Sequence, residues 1–393
     1  MTQVGIGIVG AGFLAATRAR CYGRIGPATI KAVTSLRPER ARTYAEEHGV
    51  PTVCGDLAEL LARDDVDIVD LCVPNQLHRP MAIQAAEAGK HVVCTKPLTA
   101  YVGQDLGDDP DEEAVGAQDP RRMMEVAVRD AEAMVVAAME ANVQLMYGEN
   151  WVYAPSIVRA ADLLQKSGGV CLEMHGWECH SGSHSEYSKV WKHTGGGALI
   201  RLGAHPIGAM LHLKAVEGVA RNGQPIRPIA VTAEVDDLST VPGKSGADMR
   251  LVTGWKDVEN WGVAIITFDD GSKGVAHGSD NQLGGMQSKL RVRASNCTLE
   301  CNLSPHDLVR AYAPSSDVFD DAYIMEKIDG SSGWTTPLPD EDWATGQADM
   351  CRDFVAAVAE GRSALSTGVL GLDVTRVIYA AYVSAREGRR VAL

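Results

Sequence analysis

The sequence lacks the usual signs of a secreted or membrane-bound protein. None of its hydrophobic runs approaches the roughly 20 apolar residues that a membrane-spanning helix needs, and its N-terminus has neither the basic region nor the cleavage pattern of a secretory signal. Its nine cysteines include no CxxC pair, and several lie within apolar runs. That pattern is typical of reduced, buried thiols, so we expect a cytoplasmic protein.

Basic residues are also scarce, with 37 Lys and Arg against 51 Asp and Glu and a formal net charge of -14. A negative chain opposes any general attraction to nucleic acid or to an anionic membrane, so we expect neither as a partner. The length of 393 residues, 45% of them hydrophobic, is enough for two domains with substantial cores. Chemistry on a small molecule is the function class that remains.

The N-terminal segment has the pattern of a dinucleotide-binding turn. Val4–Val9 is a short apolar strand, and residues 10–15 (GAGFLA) lead from it into a helix-like segment. Gly10 permits the turn, Gly12 lets the backbone approach a pyrophosphate, and Ala15 replaces a third glycine where helix and strand pack closely. The helix N-terminus offers unpaired N–H groups to phosphates. The candidate cofactor-binding residues of this turn are Gly10, Gly12, Phe13 and Leu14.

The residues that follow alternate between strands and helices, which distinguishes this turn from an ordinary glycine turn. The predicted strands Thr29–Val33, Val66–Val73 and His91–Cys94 are nearly continuous in apolar residues, which suits a parallel sheet covered on both faces. We therefore predict a Rossmann-type sheet. The predicted helices between these strands are Pro38–His48, Leu57–Arg63 and His78–Ala88.

The end of the second strand bears on the choice between NAD and NADP. An acidic residue there accepts the ribose hydroxyls and repels a 2′-phosphate, but this chain has Ser35 and Arg37, with Arg40 one helical turn later. We favour NADP, held by Ser35 with Arg37 or Arg40. The alternative is a solvated helix start, and NAD then stays possible.

Several motifs together resemble the Gfo/Idh/MocA family, which includes glucose-fructose oxidoreductase and inositol dehydrogenase. They are residues 74–78 (PNQLH), 89–98 (GKHVVCTKPL), 149–151 (ENW), the glycine run 195–197 that leads to His205, and the C-terminal GLDVTRVIYAAYVSAREGRRV. The resemblance implies a Rossmann domain, 1–148, and a C-terminal α+β domain with an open, mostly antiparallel sheet, 149–393. It also implies a homo-oligomer, dimer or tetramer, and hydride transfer between NADP or NAD and a carbohydrate or polyol.

The sequence is consistent with that second domain. Apolar alternation predicts strands at Ile229–Val235, Trp261–Phe268, Lys273–His277 and Lys289–Ala294, with a hairpin turn at 269–272. The acidic, glycine-bearing segment of about 100–121 is predicted to be an exposed insertion. Because it leaves the strand end that carries Lys96, the alternative is a lid over the cleft.

The resemblance implies catalytic roles for Lys96 and His205. Lys96 follows a parallel strand at the edge where ligands bind, and a positive nicotinamide nearby would lower the pKa of its amine. His205 is predicted to close a helical stretch, Ala198–His205. Imidazole titrates near neutrality, so His205 suits a general base, although a histidine in an apolar helix is more often structural. The resemblance also adds Pro74, Asn75, His78 and Lys96 to the cofactor-binding set.

Two positions depart from the family pattern. Thr95 stands where the family usually has an acid, and Arg201 stands where it usually has an aspartate four residues before the histidine. Helical spacing puts Arg201 and His205 on one face, so Arg201 is predicted to lower the pKa of the histidine and to bind an anionic substrate group. The alternative is that it pairs with a structural carboxylate.

The segment 175–193 is dense in hydrogen-bonding groups and aromatics, which match the hydroxyls and apolar ring faces of sugars. We predict that Lys96, Asn150, Tyr153, His180, His184, Tyr187, Arg201 and His205 contact the substrate. A metal site formed by Glu178, His180 and His184 is the alternative for the loop, but no recognised ligand spacing supports it, and we predict no metal.

The function predicted first is the reversible oxidation of a secondary alcohol of a sugar, glycoside or cyclitol, with His205 as the base and Lys96 assisting. The missing family acids favour a second possibility, a non-catalytic dinucleotide-binding regulator. A third is redox-assisted cleavage of a glycoside.

Overall fold

Two β-sheets organise the chain. The computed structural model describes residues 3–243, 248–319, 322–328 and 331–393. The strands are β1 (Val4–Val9), β2 (Ala28–Thr34), β3 (Thr52–Val53), β4 (Ile68–Leu71), β5 (His91–Thr95), β6 (Leu145–Gly148), β7 (Cys171–Cys179), β8 (Pro228–Asp236), β9 (Trp261–Phe268), β10 (Lys273–Ser279), β11 (Gln287–Ala294), β12 (Thr298–Asn302), β13 (Ala311–Ala313), β14 (Gly333–Thr335) and β15 (Val391–Ala392).

Helices cover the first sheet and one face of the second. They are α1 (Phe13–Tyr22), α2 (Pro38–His48), α3 (Leu57–Leu61), α4 (His78–Glu87), α5 (Glu112–Gly116), α6 (Pro120–Glu140), α7 (Pro155–Ser167), α8 (Trp191–Thr194), α9 (Ala204–Asn222), α10 (Thr240–Gly243), α11 (Glu341–Ala344), α12 (Gln347–Glu360) and α13 (Gly368–Glu387). Within the part of the chain that the structure describes, no helix has the length and apolar character to cross a membrane.

The first sheet is parallel throughout, in the order β3-β2-β1-β4-β5-β6. All six residues of β1 and all four of β4 are buried, as continuous apolar strands between helices should be. The predicted Rossmann sheet is confirmed. The predicted domain division, 1–148 and 149–393, stays a prediction, although β6 ends at Gly148.

The second sheet has seven strands in the order β12-β11-β7-β10-β9-β8-β15, and every pairing except β7 with β10 is antiparallel. The open, mostly antiparallel sheet is therefore confirmed. The predicted hairpin turn is also present, since residues 269–272 join β9 to β10 and Gly271 N donates to Phe268 O.

Two local predictions need correction. His205 does not close a helix, because a π-helical turn at Leu199–Gly203 leads into α9, where His205 is the second residue. The segment 100–121 is not uniformly exposed either: Tyr101 is fully buried, where its N–H donates to the hydroxyl of Tyr379 and its carbonyl accepts from Trp191 Nε1. Its charged residues are mostly solvent-facing, and α5 packs against α8.

A buried ion pair ties the first helix to the sheet and to the C-terminal helices. Arg18 on α1 places Nε 3.2 Å from Asp70 Oδ2 on β4, and both side chains are at most 1% exposed. Tyr22 donates to the same oxygen, and Arg18 Nη1 donates to Gln347 at the start of α12. The hydrogen bond between Arg18 and Gln347 joins α1 to a residue more than 300 positions later in the chain.

Removing one partner of this pair leaves the other charge buried. We expect Asp70→Asn to lower the free energy of unfolding by about 3–5 kcal/mol, measured by urea titration. The control is Asp65→Asn, which breaks an exposed pair with Arg63 and should cost no more than about 1 kcal/mol. Equal effects of the two substitutions would contradict the prediction.

Candidate active site

A cleft of about 1030 Å³ lies at the carboxyl edge of the first sheet, and both sheets contribute to its walls. Ligands bind at this edge in open parallel sheets because strand ends and helix N-termini converge there. The start of α1 contributes Phe13 and Leu14, the loop after β5 contributes Lys96, and later residues contribute Glu178, Arg201 and His205.

The glycine turn at one end of the cleft fits a dinucleotide. Gly10 has φ of +105°, and a Cβ there would lie 2.2 Å from the carbonyl oxygen of Cys72, so the fold itself requires glycine. A Cβ at Gly12 would meet no protein atom within 4 Å. Gly12 also gives α1 no side-chain cap. The backbone N–H groups of the first turn of α1 are therefore open to a phosphate group.

The predicted NADP-binding residues lie beside this turn. β2 ends at Thr34, whose carbonyl accepts from Gly10 N, and the next residues are exposed. Ser35 Oγ accepts from the N–H of Arg37, and Arg40 lies on the first turn of α2. The cofactor contacts of Ser35, Arg37 and Arg40 stay predictions.

None of the three residues predicted from the 74–78 motif lines the cleft. His78 is fully buried, with its ring nitrogens 3.0 Å from the carbonyl oxygens of Val73 and Pro97, and its cofactor contact stays a prediction. Its ring instead links the loop after β4 to the loop after Lys96. Pro74 is exposed, and Asn75 Nδ2 donates to the carbonyl of Thr194; their cofactor contacts stay predictions.

Lys96 follows β5 and points across the cleft. Its Nζ donates to the carbonyl of Arg201 at 2.5 Å. Arg201 belongs to the π-helical turn, a departure from regular helical hydrogen bonding that is frequent at functional sites. Burial lowers the pKa of the Lys96 ammonium, and the charges of Glu178 and Glu149 oppose that shift.

His205 lies between two carboxylates. Its Nδ1 is 2.7 Å from Glu149 Oε1, its Nε2 is 4.0 Å from Glu178 Oε1, and its ring stacks on Trp151. Burial alone would lower the pKa of His205, but Glu149 and Glu178 outweigh burial and raise it. The prediction that Arg201 lowers the pKa of this histidine was therefore wrong.

Arg201 pairs with a structural carboxylate, as the alternative interpretation expected. Its Nη2 bonds Asp280 Oδ2, its guanidinium lies 5.2 Å from the ring centre of Trp255, and its side chain is 14% exposed at the cleft wall. Contact between Arg201 and the substrate stays a prediction.

The polar segment after β7 reaches the cleft only in part. His180 lines it and accepts from Gly182 N, and its pKa is lowered to about 3 by burial and by the cations Lys327, Arg201 and Lys96. His180 is therefore neutral. His184 and Tyr187 are exposed and do not line the cleft, and Tyr187 stacks on His193. Their substrate contacts stay predictions.

The two residues predicted at the domain crossing differ in their position relative to the cleft. Asn150 lines the cleft and donates to the carbonyl of Thr345. Tyr153 is 3% exposed, and its hydroxyl donates to Asp353 and accepts from Ser366 N. Tyr153 does not line the cleft, and its substrate contact stays a prediction.

Glu149 and Glu178 are the main residues that sequence reasoning missed as catalytic candidates. Glu149 directly follows the buried strand β6, and an acid at a parallel strand's carboxyl end is a usable signal. On β7, Glu178 shares a face with Met174 and Gly176, which are buried, so an acid interrupts an inward face. Both signals were present in the sequence.

A C-terminal segment also forms part of the cleft wall. It contributes Tyr323, Glu326, Lys327 and residues 338–342, and it is held to α1 by Arg20 with Asp342 and Arg24 with Asp340. The segment 100–121, predicted alternatively as a lid, contributes no residue to this wall. No three His, Cys, Asp or Glu side chains in the described ranges are grouped as metal ligands.

Known proteins resemble this chain along its length. A family model described as an oxidoreductase family with an NAD-binding Rossmann fold matches residues 4–106. Levoglucosan dehydrogenase of Pseudarthrobacter phenanthrenivorans is 24% identical over 417 residues, which cover 98% of this chain and 97% of that protein. D-xylose 1-dehydrogenase (NADP(+)) 2 of Haloferax volcanii is 24% identical over 364 residues, covering 92% and 91%. The crystal structure of GenD2 from gentamicin A biosynthesis, in complex with NAD, is 26% identical with a TM-score of 0.79, covering 100% and 97%.

The two glycines of the turn should respond differently to substitution. Gly12→Val adds a side chain in open space, so we expect unchanged thermal stability but dissociation constants for NADH and NADPH raised about tenfold or more, which corresponds to about 1.4 kcal/mol. Gly10→Val, at positive φ and against Cys72, should instead destabilise the fold by about 1–3 kcal/mol or more. Nicotinamide fluorescence titration and thermal melts measure the two effects, and unchanged nucleotide affinity of Gly12→Val would contradict the placement.

Proposed function

We propose that this chain is a member of the Gfo/Idh/MocA family of NAD(P)-dependent oxidoreductases and that it oxidises a secondary alcohol of a sugar, glycoside or cyclitol. The observation that carries the proposal is the convergence of Lys96 and the Glu149–His205 pair on the cleft that begins at the glycine turn. A base and a cation beside a dinucleotide site are the groups that alcohol oxidation needs.

Two observations support a carbohydrate as the substrate class. The relatives that match over nearly the whole chain are named for levoglucosan and D-xylose. The cleft wall beyond Lys96 also carries Asn150, His180 and Ser288, whose side chains can hydrogen-bond hydroxyl groups.

Residues of this chain would bind the dinucleotide and accept the proton of the substrate hydroxyl. The backbone N–H groups at 12–14 and the side chains of Ser35, Arg37 and Arg40 would hold the dinucleotide. When bound, the nicotinamide supplies the acceptor for the hydride that leaves the carbinol carbon. His205 Nε2 takes the hydroxyl proton, so the carbon–oxygen bond becomes a carbonyl and the charges balance. The carboxylate of Glu149 holds the proton on Nδ1 and stabilises the imidazolium that forms.

Lys96 assists at the same oxygen. The carbonyl of Arg201 accepts one of its three N–H bonds and fixes the direction of the ammonium, which leaves the others for the reacting oxygen. Because burial lowers the pKa of its amine, Lys96 can also pass a proton more readily than an exposed lysine.

Two finer points belong to the proposal. The absence of an acid at the end of β2, with a half-buried Ser35 and an exposed Arg37 and Arg40 there, favours NADP over NAD. The seven-stranded sheet leaves Leu172, Ile229 and Ile265 exposed, which favours a homo-oligomer, a dimer or a tetramer.

The regulator hypothesis loses its main support. It depended on the missing family acids at Thr95 and Arg201, but Glu149 reaches His205 from another strand end and supplies a carboxylate to the proposed base.

Turnover tests the function directly. We expect reduced-nicotinamide absorbance to rise when the protein meets NADP or NAD and a panel containing levoglucosan, D-xylose and myo-inositol. Lys96→Met should lower kcat/KM about 100- to 10,000-fold, while Lys166→Met, at an exposed lysine of α7, should retain activity. No turnover of any polyol with either cofactor would refute the proposal.

The Glu149–His205 pair should determine the pH profile of alcohol oxidation. The base is active when His205 is neutral, so kcat/KM rises as pH passes the raised pKa of this histidine. Glu149→Gln removes the carboxylate charge, so the rise should move to lower pH and the plateau should fall about tenfold or more. Glu360→Gln, at an exposed acid of α12, serves as the control. A midpoint that stays in place in the Glu149 variant would rule out this role.

A further inference from the structure

Glu178 differs from the other buried carboxylates of the cleft because it has no hydrogen-bond donor among the described residues. Glu149 accepts from Trp151 N and contacts His205, and Asp280 accepts from Arg201. Glu178 is 6% exposed, yet its nearest cation-forming atom is His205 Nε2 at 4.0 Å, beyond hydrogen-bond distance. Its carboxylate reaches the cleft surface.

A buried carboxylate without donors is unfavourable, so the donors are expected from a ligand. Burial raises the pKa of Glu178, while the charges of His205 and Lys96 oppose that shift. Lys96 already places a positive charge near the carboxylate, so a neutral donor fits there better than another cation.

The position of Glu178 relative to the base selects the kind of neutral donor. A hydroxyl that gives its proton to His205 Nε2 lies within hydrogen-bond distance of that nitrogen. The distance from the same nitrogen to Glu178 Oε1 is 4.0 Å. A hydroxyl on the adjacent carbon is the group that can bond Glu178 while the first bonds His205. Ser288, opposite Glu178 in the pairing of β11 with β7, adds another hydroxyl to the same wall.

We propose that Glu178 binds the hydroxyl next to the carbinol being oxidised, so that the enzyme acts on vicinal diols. The proposal rests on the proposed function, because it takes the reacting hydroxyl to lie between Lys96 and His205. In this arrangement Glu178 is a catalytic-site residue that recognises substrate, and His205 alone takes the proton.

The experiment compares wild type and Glu178 variants on a substrate and on analogues that lack one hydroxyl. The substrate is whichever of levoglucosan, D-xylose and myo-inositol the wild type oxidises fastest, compared with its monodeoxy analogues. We expect wild-type kcat/KM to fall about 10- to 100-fold for the analogue that lacks the adjacent hydroxyl. Glu178→Ala should lose a similar factor on the full diol and little more on that analogue, and Glu178→Gln should lie between.

The control is Glu173→Gln, on the same strand but facing away from the cleft beside His175; it should behave as wild type. Equal losses for Glu178→Ala on the diol and on every analogue would overturn the proposal, as would a wild-type preference for the analogue with an amine in place of the adjacent hydroxyl. Turnover of no polyol by the wild type would instead refute the proposed function, and this inference with it. Unchanged NADH affinity of each variant shows that the dinucleotide site is intact.

Discussion

The contact between Glu149 and His205 is the interaction on which the cleft depends. Glu149 follows β6, the last strand of the parallel sheet, and His205 begins α9, which packs on β7 and β10 of the second sheet. The hydrogen bond from Lys96 to the carbonyl of Arg201 makes the same connection one strand earlier, from β5 to the π-helical turn. The ends of β5 and β6 in the first sheet are thereby held against the start of α9, which packs on the second sheet. The alcohol-oxidising arrangement proposed for this chain exists only where those parts meet.

Burial shifts the pKa of each ionisable group of the cleft, and neighbouring charges oppose or add to that shift. The pKa of His205 rises because two carboxylates outweigh the cost of burying its cation, whereas the pKa of His180 falls to about 3 because burial lowers it and neighbouring cations lower it further. Lys96 has carboxylates nearby, but burial wins and its pKa falls. Two histidines in one cleft therefore differ in basicity, and only His205 is suited to take a proton near neutral pH.

The sequence was sufficient where a structural rule is local. The glycine turn, the buried parallel strands and the hairpin at 269–272 follow from patterns within a few residues of each other, and the structure confirms them. The sequence was not sufficient for polar groups whose partners are distant in the chain. Tyr153 meets Asp353, and His78 meets Pro97, so both are buried, which no periodicity indicates. The C-terminal segment at the cleft has little regular secondary structure, so no apolar pattern predicted that it would lie there.

The position of Arg201 explains how the proposed chemistry can operate with an arginine where the Gfo/Idh/MocA family usually has an aspartate. A base such as His205 needs a carboxylate within hydrogen-bond distance of Nδ1, and Glu149 meets that need from β6. Lys96 is held by the backbone carbonyl of residue 201, which every amino acid supplies, so the side chain there does not determine the position of the lysine. The arginine needs its own counter-charge, and Asp280 provides it. The positions of His205 and Lys96 thus do not depend on which side chain residue 201 carries. An arginine can occupy the position while the base and the lysine keep their geometry.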